Sequence, residues 1–210
     1  MRVAVVDYGM GNLHSVSKAV EHVAPGTRVE VTSDPARVSG ADRVVFPGQG
    51  AMPDCMREMD SRGLRPAVLE AARSRPFLGI CIGLQMLFER SDEGGVDGLA
   101  LLPGSVRRFP EAAMVDAAGQ KLKVPHMGWN RVKQGGHALW SGIEDGSRFY
   151  FVHSYFPEAG EAGLVQGTTE YGVPFTCAVA RDNIFAVQFH PEKSDTAGLR
   201  LLANFLNWNP

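Results

Sequence analysis

The sequence predicts an α/β fold in which an open, mostly parallel or mixed β-sheet is flanked by helices. Two observations support this prediction. In the first part of the chain, short apolar and β-branched runs alternate with helical patterns, at the spacing of parallel strands joined by crossover helices. After Gly94 and Gly95 the chain changes to short apolar runs separated by turns, which is typical of strands. Because no repeat, low-complexity tract or linker divides the chain, we expect a single domain over residues 1–210.

Strands and helices alternate in the first part of the chain. Asp34 and Pro35 mark one helix start, because aspartate caps free N–H groups and proline fits the first helical turn. The predicted strands cover residues 3–6, 29–31, 43–46 and 76–80. The predicted helices pass through Leu13 to Val20, follow Pro35, cover about 64–73, and pass through Leu84, Leu87 and Phe88.

The second part of the chain is rich in predicted strands, which cover residues 106–109, 149–152, 164–167, 175–180 and 184–189. Ser194 and Asp195 are the expected caps of a closing helix. The apolar face of this helix consists of Leu199, Leu202, Phe205 and Leu206.

Composition and charge exclude several classes of partner. The 21 basic and 23 acidic residues give a net charge of −2, which provides no general attraction for nucleic acid or an anionic membrane. Because we find neither a secretory signal nor a long apolar segment, we expect a cytoplasmic protein without a membrane anchor. The 3 cysteines are an odd number, which favours reduced thiols over a disulfide framework. The histidines lack metal-binding spacing, so we expect no metal site.

The segment Gly-Ile-Cys-Ile-Gly at 79–83 places Cys81 between two glycines, where an apolar run gives way to a helical pattern. This is the pattern of a nucleophile elbow with cysteine in place of serine. The sharp turn lifts the sulfur out of the sheet, and the start of a helix favours the thiolate. For these five residues alone, a buried and inert thiol is an equally good interpretation, so a second element must decide.

The segment Phe-His-Pro-Glu at 189–192 supplies that second element. His190 can take a proton from a thiol and return it to a leaving amine, since the ordinary histidine pKa of about 6.5 suits both steps. Glu192 can hold the imidazole in one tautomer, as the third member of a triad does. A histidine at a strand end is more often structural, but its combination with the cysteine elbow favours catalysis.

The segment Pro-Gly-Gln-Gly at 47–50 follows another predicted strand. Its glycines would let backbone N–H groups approach a reacting carbonyl, as an oxyanion hole requires. Taken alone, this segment is better interpreted as a simple turn.

Together these three segments resemble the class I, triad-type glutamine amidotransferases. Three more segments make the chain similar to the glutaminase subunits of imidazole glycerol phosphate synthases: Asp-Tyr-Gly-Met-Gly-Asn at 7–12, Lys-Val-Pro-His-Met-Gly-Trp-Asn at 123–130 and Phe-Val-His-Ser-Tyr at 151–155. Glutaminases that serve anthranilate, aminodeoxychorismate or pyridoxal phosphate synthesis share the triad but lack the segment at 123–130. The resemblance runs from residue 2 to the final helix and implies a flavodoxin-like sheet with a nucleophile elbow.

The resemblance implies a role for each matching residue. Cys81 would attack the side-chain amide of glutamine and form a thioester, His190 would move protons, and Glu192 would orient His190. The implied substrate-binding and oxyanion positions are Gly48, Gln49, Gly50, Gln85, His153 and Ser154. At Gln49 the family more often carries valine, and no cofactor is implied.

The resemblance also implies a partner. The released ammonia would pass to a cyclase subunit, a (β/α)₈ barrel that makes imidazole glycerol phosphate and aminoimidazole carboxamide ribotide in histidine biosynthesis. The two subunits would form a heterodimer in which the cyclase stimulates the glutaminase. The residues implied to face the cyclase are Met10, Asn12, Lys123, His126 and Trp129.

Three other functions compete with this interpretation. The chain could serve as the glutaminase of one of the related amidotransferases, which have the same triad. A cysteine peptidase on a similar scaffold would also use cysteine, histidine and an acid. A binding module that merely keeps the scaffold is disfavoured by the intact Cys81, His190 and Glu192.

Overall fold

The fold was analysed in a computed structural model, which describes residues 1–110, 112, 114–116 and 118–210. The helices are α1 Leu13–Val23, α2 Pro35–Ser39, α3 Met52–Ser61, α4 Arg65–Ser74, α5 Ile82–Gln85 and α6 Asp195–Asn207. The strands of the first part are β1 Arg2–Val6, β2 Arg28–Thr32, β3 Arg43–Gly48, β4 Phe77–Cys81, β5 Phe88–Ser91 and β6 Leu102–Arg108. Those of the second part are β7 His126–Arg131, β8 Lys133–Gln134, β9 Arg148–His153, β10 Tyr155–Ala159, β11 Val165–Tyr171, β12 Val173–Arg181 and β13 Ile184–Val187.

An 8-stranded mixed sheet forms the centre of the molecule, with the strand order β2-β1-β3-β4-β13-β12-β11-β8. The strands from β2 to β13 run parallel, and β12, β11 and β8 continue the sheet in antiparallel pairing. This arrangement confirms the predicted open, mixed α/β fold. Because β3, β4 and β13 are parallel neighbours, their carboxyl ends Gly48, Cys81 and Val187 meet at one edge of the sheet.

Two smaller sheets cover this edge. One has the order β10-β6-β5, and the other pairs β7 with β9. The β7–β9 pair is antiparallel and places His126 opposite His153. An aromatic cluster that includes the fully buried Phe109 and Phe151 packs beneath it. Residues from the strand-rich second part therefore reach the carboxyl ends of the parallel strands.

Capping chemistry explains where one predicted helix begins. The Asp34 side chain accepts a hydrogen bond from the Ala36 N–H at 2.9 Å, directly before Pro35 in α2. Ser194 occupies the predicted N-cap position of α6, but its side chain makes no capping hydrogen bond. Its hydroxyl instead accepts from the Tyr150 N–H and donates to the His190 carbonyl.

The helix predicted after the cysteine is also wrong beyond its first turn. α5 has only 4 residues, and Phe88 begins a strand. The Leu87 carbonyl, which would accept a bond within a longer helix, accepts from the N–H groups of Leu101 and Leu102 instead. A helix this short contributes little dipole, so thiolate stabilisation at Cys81 must come mainly from other groups.

Close backbone packing sets the sharp turn after β4. A Cβ atom at Gly83 would lie 1.8 Å from the carbonyl oxygen of Phe46 on β3. At Gly48 a Cβ would lie 2.8 Å from Cβ of Ile82. Only glycine fits where β3 and the turn approach this closely.

We expect Gly83→Ala to lower the free energy of unfolding by about 3 kcal/mol, because the new methyl group would collide with backbone that cannot rotate away. Gly163→Ala is the matched control, since nothing lies within 4 Å of a Cβ at Gly163. Chemical denaturation of the two variants measures the difference. Equal stability of both variants would contradict the packing constraint at Gly83.

Candidate active site

Cys81 occupies a strained turn at the end of β4. Its backbone has φ 57° and ψ −111°, a conformation that residues other than glycine rarely adopt. Such strain costs about 1–3 kcal/mol and persists only where the surrounding structure enforces it. Here the enforcement comes from the close packing of Gly83 against Phe46. The sulfur is consequently held out of the sheet at its carboxyl edge.

His190 and Glu192 lie beside this cysteine. Nδ1 of His190 is 2.8 Å from Oε1 of Glu192, and the Glu192 side chain is 1% exposed. This contact leaves Nε2 of His190 for the cysteine, since Nε2 is buried and has no hydrogen-bond partner. The structure therefore brings together the three residues that the sequence suggested as a triad, although Cys81 and His190 are far apart in the chain.

The backbone of His190 is fixed by strand β9. The His190 N–H donates to the Tyr150 carbonyl at 2.9 Å, and the Ser194 hydroxyl donates to the His190 carbonyl. The Tyr150 N–H in turn donates to the Ser194 hydroxyl at 3.0 Å. Ser194 thus positions the candidate base, a role that the sequence analysis missed because its position suggested a helix cap.

The electrostatics of the triad favour a protonated imidazole. Burial by itself would lower the pKa of His190, but the negative charge and hydrogen bond of Cys81, together with the Glu192 carboxylate, raise this pKa to about 10. A cationic imidazole next to the sulfur is the arrangement that stabilises a thiolate. Because α5 is short, the charge of His190 stabilises a thiolate at Cys81 more than the helix dipole does.

The other two thiols have environments that suppress reactivity. Burial raises the pKa of Cys55 to about 11, and it raises the pKa of Cys177 still further. Neither thiol forms a disulfide. Cys81 is therefore the cysteine best placed to act as a nucleophile.

A cavity of about 330 Å³ opens over Cys81. Its lining contains the sulfur-bearing turn, the imidazole of His190, and polar groups from three other parts of the chain. The lining residues are Gln49, Gly50, Cys81, Ile82, Gln85, Glu93, Pro125, Val152, His153, Ser154, Tyr155 and His190. The volume and the mixed polar lining suit a ligand of amino-acid size.

Gln85 and Gln188 form a buried pair under this cavity. Nε2 of Gln85 donates to the Tyr155 carbonyl and to Oε1 of Gln188, both at 3.0 Å. Nε2 of Gln188 lies 3.8 Å from Sγ of Cys81. Oε1 of Gln85 is buried without a partner, which leaves an acceptor for a ligand. Gln188 was missed from sequence because it follows an apolar run and belongs to no motif.

The segment at 47–50 is held from two sides. The Tyr8 hydroxyl donates to the Pro47 carbonyl at 2.8 Å, and the Cys55 thiol lies 3.5 Å from the Gln49 carbonyl. Gly48 is buried opposite Cys81, whereas Gln49 and Gly50 are exposed and line the cavity. The segment thus lies next to the nucleophile, where an oxyanion hole would have to be.

The residues implied to face a partner have different surroundings. Trp129 is 45% exposed and Lys123 is exposed, while Met10 and Asn12 are half-buried. His126 is 3% exposed, so its side chain presents almost no surface to a partner. Its ring stacks between the rings of Phe151 and Tyr171, which closes it off from solvent.

Two absences can be stated for the described part of the chain. It contains no cluster of three or more His, Cys, Asp or Glu side chains that could hold a metal ion. Nor does it contain a helix with the length and hydropathy needed to cross a lipid bilayer.

With this geometry the chain belongs to the class-I glutamine amidotransferase family, whose model, described as "Glutamine amidotransferase class-I", matches residues 4–208. Full-length relatives are similar to the chain throughout. A protein of Dechloromonas aromatica is 69% identical over 99% of this chain and 97% of its own length. Another, of Aromatoleum aromaticum, is 68% identical over 99% of each. Both are named "Imidazole glycerol phosphate synthase subunit HisH".

Solved structures share the fold at much lower identity. A structure described as "Crystal structure of glutamine amidotransferase" has a TM-score of 0.72 at 18% identity, covering 98% of this chain and 97% of its own. The "Structure of PurLQS from Thermotoga maritima" has a TM-score of 0.70 at 18% identity, with the same coverage. These similarities confirm the fold class.

We expect Glu192→Gln to reduce the stabilisation that protonated His190 provides. Because the His190 pKa is raised above its usual value of about 6.5, this stabilisation is fully present below that pH and is lost as the pH rises through about 10. The native protein should therefore be more stable than the variant by about 1–3 kcal/mol near pH 6, with the difference shrinking towards pH 10. Urea denaturation across this range measures the difference, and one that grows with pH would contradict the assignment.

Proposed function

We propose that this chain is the glutaminase subunit of an imidazole glycerol phosphate synthase, with residues 1–210 acting as one glutamine amidotransferase domain. The observation that carries the proposal is the strained Cys81 beside the His190–Glu192 pair, at the floor of a cavity of amino-acid size. Relatives at 60–69% identity, each named as the HisH subunit of that synthase, support the particular assignment. The related glutaminases and the peptidase are less well supported alternatives.

In the proposed reaction, Sγ of Cys81 attacks the side-chain amide carbon of glutamine as a thiolate, because protonated His190 already holds the thiol proton. His190 gives this proton to the departing nitrogen, so ammonia leaves and a thioester remains. Water then attacks the thioester, His190 takes its proton, and glutamate is released as the thiolate is re-formed beside protonated His190. Glu192 fixes the His190 tautomer throughout, because its carboxylate binds Nδ1.

The cavity lining offers a partner for each end of glutamine. Backbone groups of His153 and Ser154 lie where they can bind the amino-acid end, and Glu93 brings a carboxylate that suits an ammonium group. The unpartnered Oε1 of Gln85 can accept a further hydrogen bond. Gly48, Gln49 and Gly50 would supply the backbone N–H groups that stabilise the oxyanion.

The rim of the cavity supports the proposed cyclase partner. Met10 lies at this rim: its terminal methyl group would be 2.8 Å from a Cβ atom placed on Gly50. Pro125 also lines the cavity, and the exposed Met127 and Trp129 follow it on β7. Exposed Trp and Met are typical anchors of protein interfaces. A subunit that docks over Met10, Asn12, Lys123 and Trp129 would therefore cover the cavity and receive ammonia before it reaches bulk water.

The first test measures glutamate release from glutamine by the purified chain, alone and with a histidine-pathway cyclase plus its nucleotide ligand. We expect weak activity alone, strong stimulation by the liganded cyclase, and loss of both in Cys81→Ser. Hydrolysis that is not stimulated by the cyclase would indicate that the chain is the glutaminase of a related amidotransferase. Absence of hydrolysis under every condition would favour the peptidase or binding-module alternatives.

The proposed surface is tested in the same assay with Trp129→Ala. Truncating an interface anchor typically costs about 2 kcal/mol, so roughly 30-fold more cyclase should be needed for half-maximal stimulation. Trp208→Ala is the control, because Trp208 packs against His137 at the other end of the sheet. Equal cyclase requirements for the two variants would place the partner surface elsewhere.

A further inference from the structure

His126 lies inside the protein, on the first residue of β7. Its ring plane lies at 25° to the rings of Phe151 and Tyr171. The distances between ring centroids are 4.9 Å to Phe151 and 4.1 Å to Tyr171. On one edge, its Nδ1 lies 3.0 Å from Nε2 of His153, the residue opposite it in the β7–β9 pair. A buried imidazole pair of this kind requires a defined arrangement of protons.

The protein groups around the pair determine that arrangement. Nδ1 of His153 faces the Tyr155 carbonyl at 2.8 Å, so it must carry a proton and donate. Nε2 of the neutral His153 is then an acceptor, and Nδ1 of His126 must be the donor to it. Burial lowers the pKa of His126 to about 4, and burial together with the His126 charge lowers that of His153 to about 3, which keeps both rings neutral near pH 7.

Asn130 agrees with this assignment from the other edge of His126. Its Oδ1 accepts from the Arg131 N–H and its Nδ2 donates to the Glu170 carbonyl, each at 2.8 Å. The group that Asn130 turns towards Nε2 of His126 is therefore the donor Nδ2, at 3.5 Å. Nε2 of His126 is consequently an acceptor, and the proton of this ring lies on Nδ1.

The hydrogen bonds continue from this pair to the nucleophile. The Tyr155 carbonyl that accepts from His153 also accepts from Nε2 of Gln85 at 3.0 Å. Gln85 donates its other N–H to Gln188, whose amide nitrogen lies 3.8 Å from Sγ of Cys81. One chain of donors and acceptors therefore connects β7 with the floor of the cavity.

We infer that His126 is a positioning residue for glutamine: its N–H binds Nε2 of His153 and so holds the His153 ring where Nδ1 donates to the Tyr155 carbonyl, which fixes the backbone of residues 153–155 along the cavity. Without this donor, Nε2 of His153 would be buried and unpaired. The ring would then gain by turning Nε2 towards water in the cavity that it lines, and the Tyr155 carbonyl would lose its bond from Nδ1. The segment that lines the glutamine site would be released. The inference rests on the proposed function, since it assumes that glutamine occupies this cavity.

Two variants of His126 separate hydrogen bonding from packing. His126→Phe keeps an aromatic ring in the stack but removes the donor. In His126→Asn an amide nitrogen takes the place of Nδ1, while the stacking against Phe151 and Tyr171 is lost. We expect His126→Phe to raise the KM for glutamine roughly 5- to 100-fold, as for a lost buried hydrogen bond, with kcat changed much less. His126→Asn should be the less stable variant and yet have the lower KM.

The assay uses the complex with the liganded cyclase, and thermal unfolding is measured on the same preparations. His137→Phe is the matched control, because His137 is another histidine packed on an aromatic ring, that of Phe185, and it touches no part of the cavity. Its KM should equal that of the native protein.

A native KM in His126→Phe, or a KM that follows thermal stability rather than the donor, would overturn the inference. These results leave the proposed function intact if the native complex hydrolyses glutamine and Cys81→Ser does not. If the native complex fails to hydrolyse glutamine, the proposed function fails first, and the inference fails with it.

Discussion

The approach of the Phe46 carbonyl to Gly83 is the constraint on which the candidate site depends. With no space for a side chain between β3 and the turn after β4, the chain must reverse direction within a few residues. Cys81 is at the point of reversal and is held at a φ of 57°. Tight backbone packing therefore fixes the sulfur and directs it out of the sheet. The neighbouring strands β3 and β13 end beside it, because both are paired in parallel with β4.

The chemistry of the cysteine then depends on groups that other layers of the fold provide. His190 follows the end of β13, and its backbone is held there by Tyr150 and Ser194. Glu192 binds Nδ1 of the imidazole, which leaves Nε2 for the sulfur. Because burial alone would lower the pKa of His190, the two anionic neighbours are what keep it protonated. A helix dipole has little part in this, since α5 is a single turn.

Local sequence signals predicted what local forces decide. The cap at Asp34, the β-branched strands and the glycine-flanked cysteine all follow from neighbouring residues, and the structure contains each of them.

The failures occur where distant chain segments compete. Leu87 is not helical, because its carbonyl accepts hydrogen bonds from the N–H groups of Leu101 and Leu102. The Ser194 side chain does not cap α6, because its hydroxyl is hydrogen-bonded to Tyr150 and His190. The resemblance implied that His126 faces a partner, and the burial of His126 could not be predicted from its neighbours in sequence, because the aromatic rings that enclose it come from β9 and β11. The role of Gln188 could not be predicted at all, since an amide after an apolar run belongs to a site only when the fold places Gln85 beside it.

Backbone packing and the His190–Glu192 pair together favour Cys81, alone among the 3 cysteines, as the nucleophile. The most direct measurement treats the native complex with a glutamine analogue that carries an electrophilic carbon in place of the amide, and maps the modified peptide by mass spectrometry. We expect a single modification on Cys81, prevented by excess glutamine and absent from Cys81→Ser. Modification of Cys55 or Cys177 with Cys81 untouched would show that the nucleophile is a different cysteine.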